Sequence, residues 1–169
     1  SDPSNQPFEA IALDAQSCDV ELVSAQLWAR RAQMETIAAR TGAGPSGARG
    51  AAHVAHVLAL AGESEVGGAW FHDGGSLTLI NSVLHPGFPT GAPPHVVARF
   101  ALAPTLHLAH VHAWAPGGNG LDVDAEGRGL TWAQAATASN WPNPARVTVS
   151  GLQGPADPRF QSWSFANLT

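Results

Sequence analysis

The stretch Asp19–Thr41, DVELVSAQLWARRAQMETIAART, decides the fold that the sequence predicts. Val20, Val23, Leu27, Met34 and Ile37 recur at helical steps, which puts them on one face of an α-helix. Asp19 stands at the N-cap and Glu21 in the first turn. Arg40 stands in the last turn, and Gly42 follows as a stop. The charges therefore complement the helix dipole at both ends. Over about 22 residues such a helix would be roughly 33 Å long.

Working outward, residues 1–9 read as a flexible arm, because Asp2, Pro3, Asn5 and Pro7 discourage regular structure. Gly42–Gly50 reads as a glycine-rich connector. Within it Gly42-Ala43-Gly44-Pro45-Ser46-Gly47 fits the string G-x-G-x-x-G. It follows the expected helix rather than a strand, and Pro45 lacks an N–H, so it reads as a linker and not a dinucleotide site. A second, short helix is expected over Ala51–Ala61, ended by Gly62. Beyond Gly68 the texture turns to strands. Ala69–His72 and Ser76–Leu84 flank Asp73-Gly74-Gly75 as a hairpin. After a proline-rich loop come strands at His95–Ala103 and Leu106–Trp114. A short strand is expected at Leu121–Val123 and a short helix at Thr131–Ser139, capped by Thr131. Final strands are expected at Arg146–Leu152 and Phe160–Phe165. No internal repeat or domain linker is evident.

Helices first and strands later predict an α+β fold: a long N-terminal helix and a short second helix packed on a mainly antiparallel sheet. A chain of 169 residues suits one domain, 1–169. The start at Ser1 without Met reads as a segment of a larger chain.

Composition narrows the function. Hydrophobic residues make up 44% and charged residues only 12%, about half the usual share of roughly 25%. Lysine is absent, so every basic residue is Arg, and the net charge is −5 without a basic cluster. That balance argues against nucleic-acid binding by this segment, since phosphate neutralisation supplies most of such affinity. A surface so poor in ionic groups suits one that a partner covers. The single cysteine, Cys18, excludes an internal disulfide. It reads as a partly buried thiol just before the helix. No apolar run reaches the roughly 18 residues of a membrane span, and no signal peptide is seen.

The histidines carry the clearest chemistry. His110 and His112, two apart on an expected strand, share a face. His53 and His56, three apart on an expected helix, share another. Together they offer four imidazoles to zinc or iron. The same strand also reads as a core face of Leu106, Leu108, His110, His112 and Trp114. His110-Val111-His112 resembles the cupin pattern, in which a glutamate follows; Ala113-Trp114-Ala115-Pro116-Gly117 contains none. Gly117-Gly118-Asn119-Gly120-Leu121-Asp122 resembles the start of the calcium-binding nonapeptide of RTX proteins, in a single copy and with Asp124 where a large apolar residue belongs. Asp122, Asp124 and Glu126 are the carboxylates that would hold calcium there. An EF-hand would need an acidic twelfth position, and Ala133 occupies it. Of six tryptophans, Trp141 between Asn140 and Pro142 is the candidate for an exposed stacking or interface residue. No nucleophile elbow, P-loop or HExxH occurs.

In texture, rich in Ala, Gly and Pro and carried best by Gly68–Pro116, the chain resembles coat proteins of fungal double-stranded RNA viruses. That resemblance implies self-assembly into a capsid around RNA, with copies of itself as partners, a virion or intracellular location, and no catalytic residue or cofactor. Two readings stand beside it. One is a metal-dependent enzyme or metal-binding protein using His110 and His112 with His53 and His56. The other is a secreted module that binds a carbohydrate or calcium through exposed tryptophan and the loop 117–126.

Overall fold

The computed structural model describes residues 7–89, 95–101, 105–113 and 123–154. Among them, strands replace both expected N-terminal helices. The chain winds into successive coils, each adding strands to sheets that run the length of the stack: a β-solenoid, not an α+β fold. The first coil holds β1 (Glu9–Gln16), β2 (Val20–Val23) and β3 (Gln26–Trp28). The second holds β4 (Glu35–Gly42), β5 (Ala52–Ala55), β6 (Leu58–Leu60) and β7 (Glu63–Ser64). The third holds β8 (Val66–Asp73), β9 (Ser76–Ile80), β10 (Val83–His85) and β11 (Phe88–Pro89). The fourth holds β12 (His95–Ala101), β13 (Thr105–Ala109) and β14 (His112–Ala113). The fifth holds β15 (Val123–Ala125), β16 (Arg128–Leu130), the one-turn helix α1 (Trp132–Ala135) and β17 (Val147–Ser150).

Sheet A runs β1-β4-β8-β12-β15-β16, sheet B β2-β5-β9-β13-β17 and sheet C β3-β6-β10-β14, with a short β7–β11 pair at one corner. Coil stacks on coil in parallel, and β15–β16 is the one antiparallel strand pair among the described residues. The expected mainly antiparallel sheet is thereby overturned. Asp73-Gly74-Gly75 does turn the chain, but from sheet A to sheet B, so β8 and β9 are not a hairpin.

The helical spacing over Asp19–Thr41 has a different cause. Val20 and Leu22 point inward on β2, stacked on Ala52 and Val54, then Leu77 and Leu79, then Leu106 and Leu108. Ser24 then turns the corner, and Ala25 and Leu27 point inward on the next side. A two-residue alternation interrupted by a corner yields steps of two and three that resemble 3.6. Val23 and Met34, two of the five residues in the supposed stripe, are exposed. The segment Ala51–Ala61 breaks the same way, into β5, a corner at His56, and β6.

The corners also hold the repeat that composition hides. Between sheets B and C every coil places one residue at positive φ: Ser24 (55°), His56 (57°), Asn81 (48°), His110 (52°) and Gly151 (60°). Their N–H groups continue the ladder: Ser24 to the Ala55 carbonyl at 3.0 Å, His56 to Ile80 at 3.0 Å, Asn81 to Ala109 at 2.9 Å and His110 to Ser150 at 2.9 Å. The other corners stack backbone on backbone. A Cβ on Gly50 would strike the Cys18 carbonyl, one on Gly75 the Gly50 carbonyl, and one on Gly87 the Gly62 carbonyl. One step of 25 residues separates Gly50 from Gly75, His56 from Asn81 and Gly62 from Gly87. The preceding step is longer, because residues 43–49 bulge out between a bridge at Ala43 and Arg49. This bulge holds most of the G-x-G-x-x-G string; it leaves strand β4 and enters strand β5, with no helix to hold a pyrophosphate.

The two ends of the stack differ. In the last coil Thr131 caps α1 with Gln134 in a capping box. Trp132 and Trp141 are buried there, Trp141 lying 5.8 Å from the Phe100 ring. With β16 they cover the end of sheet A. In the first coil Leu13, Val20, Leu22, Ala25 and Leu27 reach the core only partly buried. Among the described residues the exposed large hydrophobics are Phe8, Val23 and Met34, all in the first coil or at its junction with the second.

Candidate functional site

The candidate site is a crease on the outer face of sheet A. Alternation puts Leu13, Ala39, Trp70 and Ala98 inside and their successors outside. Those successors form one row across five coils: Asp14, Arg40, Phe71, Arg99 and Asp124. Pairing skips Ala38, Ala69 and their neighbours in the first four coils, and Ala38–Ala39, Ala69–Trp70 and Val97–Ala98 all join the core. Two successive inward residues mean that each strand bends there, so Ile37 and Arg40, or Gly68 and Phe71, lie on either side of a fold line. Phe71 leans back across it: a Cβ on Gly68 would overlap the Phe71 ring, so glycine is what admits the ring.

The row is bound by charge. Arg40 meets Glu9 at 2.7 Å, Glu35 at 3.5 Å and Asp14 at 3.7 Å. Arg99 meets Asp124 through Nε at 3.3 Å and lies 4.4 Å over the Phe71 ring. Burial holds the Glu35 carboxyl above the usual range; Glu9 adds to this, while Arg40 and Arg99 oppose it. Both guanidinium groups thus act on the same carboxylate. A hollow of about 250 Å³ opens among Gln16, Glu35, Arg40, Phe71, Asp73 and Arg99. Of its two lining carboxylates Glu35 is paired with Arg40, and a surface of paired charges beside the Asp73 carboxylate is suited to binding.

Beneath the crease runs a buried polar chain. Trp70 Nε1–H donates to Thr41 Oγ1 at 3.1 Å, and Thr41 Oγ1 lies 2.9 Å from His72 Nδ1. Burial pushes the His72 pKa down, against the opposing pull of the Gly75 backbone and the Asp73 carboxylate. The imidazole is therefore neutral in the fold, while the unfolded chain takes up a proton near pH 6.5. Below that pH the unfolded state holds more protons, so acidification removes stability. We expect unfolding free energy to be flat in this respect above about pH 6.5 and to fall by up to about 1.4 kcal/mol per pH unit below it. Urea titrations from pH 8 to 5 read this slope, and His72→Gln should flatten it; an equal slope in both proteins would remove His72 as the cause.

The residues singled out from sequence fall elsewhere. His53 projects from the exposed outer face of sheet B, in register with Glu21 and Thr78, whereas His56 sits at the next corner. His110 sits at the same corner two coils on, with Asn81 between them, which separates the two by about 10 Å. His112 lies past that corner on sheet C, so His110 and His112 do not share a face. Among the described residues no group of three or more His, Cys, Asp or Glu side chains is placed to hold a metal. Asp122 and Trp114 lie outside the described residues. Asp124 pairs with Arg99, and Glu126 accepts from Asn143 Nδ2 at 2.7 Å. Trp141 is 4% exposed and its Nε1–H donates to the Ala135 carbonyl at 2.9 Å, so it is a core residue and not a stacking platform. Cys18 is exposed at a corner, with no helix after it. Among the described residues no helix is long and apolar enough to cross a membrane.

Sequence reasoning missed Arg40, Phe71 and Arg99. The signal was one outward-facing residue per coil, visible only with the coils aligned. Compared with protein-family models, curated proteins and solved structures, the chain matches none.

Proposed function

We propose that this chain is a structural, self-associating β-solenoid segment whose open first coil is completed by a second copy. One observation carries the reading: Phe8, Val23 and Met34, the exposed large hydrophobics among the described residues, all lie in the first coil or at its junction with the second, where Leu13, Leu22 and Leu27 are only partly buried. At that same end, among the described residues, β1, β2 and β3 each have a strand partner on one side only. Unpaired edges beside apolar surface favour edge-to-edge association. The same patch on two copies can meet about a two-fold axis, and a chain with only 12% charged residues offers little repulsion. The capsid and virion part of the coat-protein expectation, which rests on composition, is withdrawn: no family model, curated protein or solved structure supports it.

Light scattering on eluting protein tests this. The protein is expected to gain mass with concentration, and Phe8→Ser with Val23→Lys to shift it to the monomer without lowering its melting temperature. A wild-type protein that stays monomeric at its highest soluble concentration would end the reading.

A further inference from the structure

The crease of sheet A has properties that self-association does not use. Its hollow of about 250 Å³ is smaller than the roughly 300–1,000 Å³ of drug-sized sites and suits a ring-sized unit. Its lining comes from the first four coils: Gln16 from the first, Glu35 and Arg40 from the second, Phe71 and Asp73 from the third, and Arg99 from the fourth. Coils repeat every ~4.8 Å, so an extended ligand lying along the stack meets a new polar group at each step. The hydrogen-bonding groups are held in advance. Arg40 is gripped by three carboxylates, and Arg99 lies over the Phe71 ring and is tied to Asp124 through Nε. Each guanidinium carries five N–H donors in a rigid fork. Among the described residues Arg99 meets an acceptor through Nε only, which leaves the remaining donors of its fork toward the hollow or solvent.

Charge selects the ligand class. Five carboxylates stand along this surface with two arginines: Glu9, Asp14, Glu35 and Asp124 are paired with them and Asp73 lines the hollow. An anion meets excess negative charge; a metal cation must compete with Arg40 for Glu9, Asp14 and Glu35 and with Arg99 for Asp124, and among the described residues no three carboxylates or histidines are placed to hold it. A neutral ligand rich in hydroxyls breaks no ion pair and uses both the spare N–H donors and the carboxylate lone pairs. We infer that the outer crease of sheet A binds a neutral polysaccharide lying across successive coils, with Arg99 and Arg40 donating to its hydroxyls and Glu35 and Asp73 accepting from them.

Affinity electrophoresis of the whole protein tests this, through native gels containing a soluble β-glucan, a galactomannan, dextran or, as the acidic comparison, polygalacturonate. Retardation by at least one neutral polymer is expected, with little by polygalacturonate. Arg99→Ala should weaken it at least about tenfold, the loss of one charge-assisted hydrogen bond, while the melting temperature confirms the fold. Arg99→Lys keeps the charge without the fork and should restore little. Phe8→Ser with Val23→Lys should leave binding intact, so failure of self-association and failure of this site are read separately. No retardation by any neutral polymer, preference for polygalacturonate, or an Arg99→Ala protein retarded like wild type would each overturn the inference.

Discussion

Replacing Gly75 by alanine is expected to destabilise the protein by about 3 kcal/mol, the sum of two penalties at one atom. Gly75 has φ +87°, and L-residues there lose about 1–2 kcal/mol. The new methyl group would also be driven into the Gly50 carbonyl of the coil before it, which is backbone and cannot swing aside. Overpacking of this kind costs about 1–3 kcal/mol. Gly47→Ala is the matched comparison: its φ is +76°, but nothing lies within 4 Å of the added atom. It should lose only the conformational part, about 1–2 kcal/mol. Gly50→Ala isolates the other part, since its Cβ strikes the Cys18 carbonyl without a positive φ. Urea unfolding followed by tryptophan fluorescence measures all three. Equal losses at Gly75 and Gly47 would mean that the coils are not stacked this tightly.

Trp70→Ala should cost about 3–5 kcal/mol, the range for emptying a buried aromatic site. Trp70 is 0% exposed on the inner face of β8, between Ala39 and Ala98 of the adjacent coils. Small neighbours above and below leave room for one large side chain and cannot expand to refill it. The substitution also deprives Thr41 Oγ1 of its donor. Trp70→Phe keeps most of the bulk and should lose about 0.5–1.5 kcal/mol for the hydrogen bond. Guanidinium unfolding separates the two variants. A loss below about 2 kcal/mol for alanine would place the ring outside the core.

Several parts of this structure were legible in the sequence. The strands expected at Ser76–Leu84 and Leu106–Trp114 overlap β9 and β13, and Thr131 caps α1 as expected, whereas the turn at Asp73-Gly74-Gly75 makes no hairpin. The same residues misled where the period was short. Strands of three and four residues joined by one corner residue leave apolar spacings of two and three, which a helical template also fits. The histidines misled for a related reason. His110 occupies the corner itself, so the rule that residues two apart share a face does not cross it. Trp141 reads as exposed between Asn140 and Pro142, yet the turn of chain after α1 folds its ring against Phe100 and its Nε1–H onto the Ala135 carbonyl.

The sequence by itself determined which side chains seek the interior and where the chain must turn. Burial of apolar surface and the permissive φ of glycine are local properties, written into each residue. Only the tertiary structure decided that the strands stack in parallel, which residues share a row, and that Arg40, Phe71 and Arg99 meet. Those relations join residues 25 or more positions apart, and their alignment depends on the length of the bulge at 43–49. No local preference encodes that register; the fit of each coil on the one beneath it does.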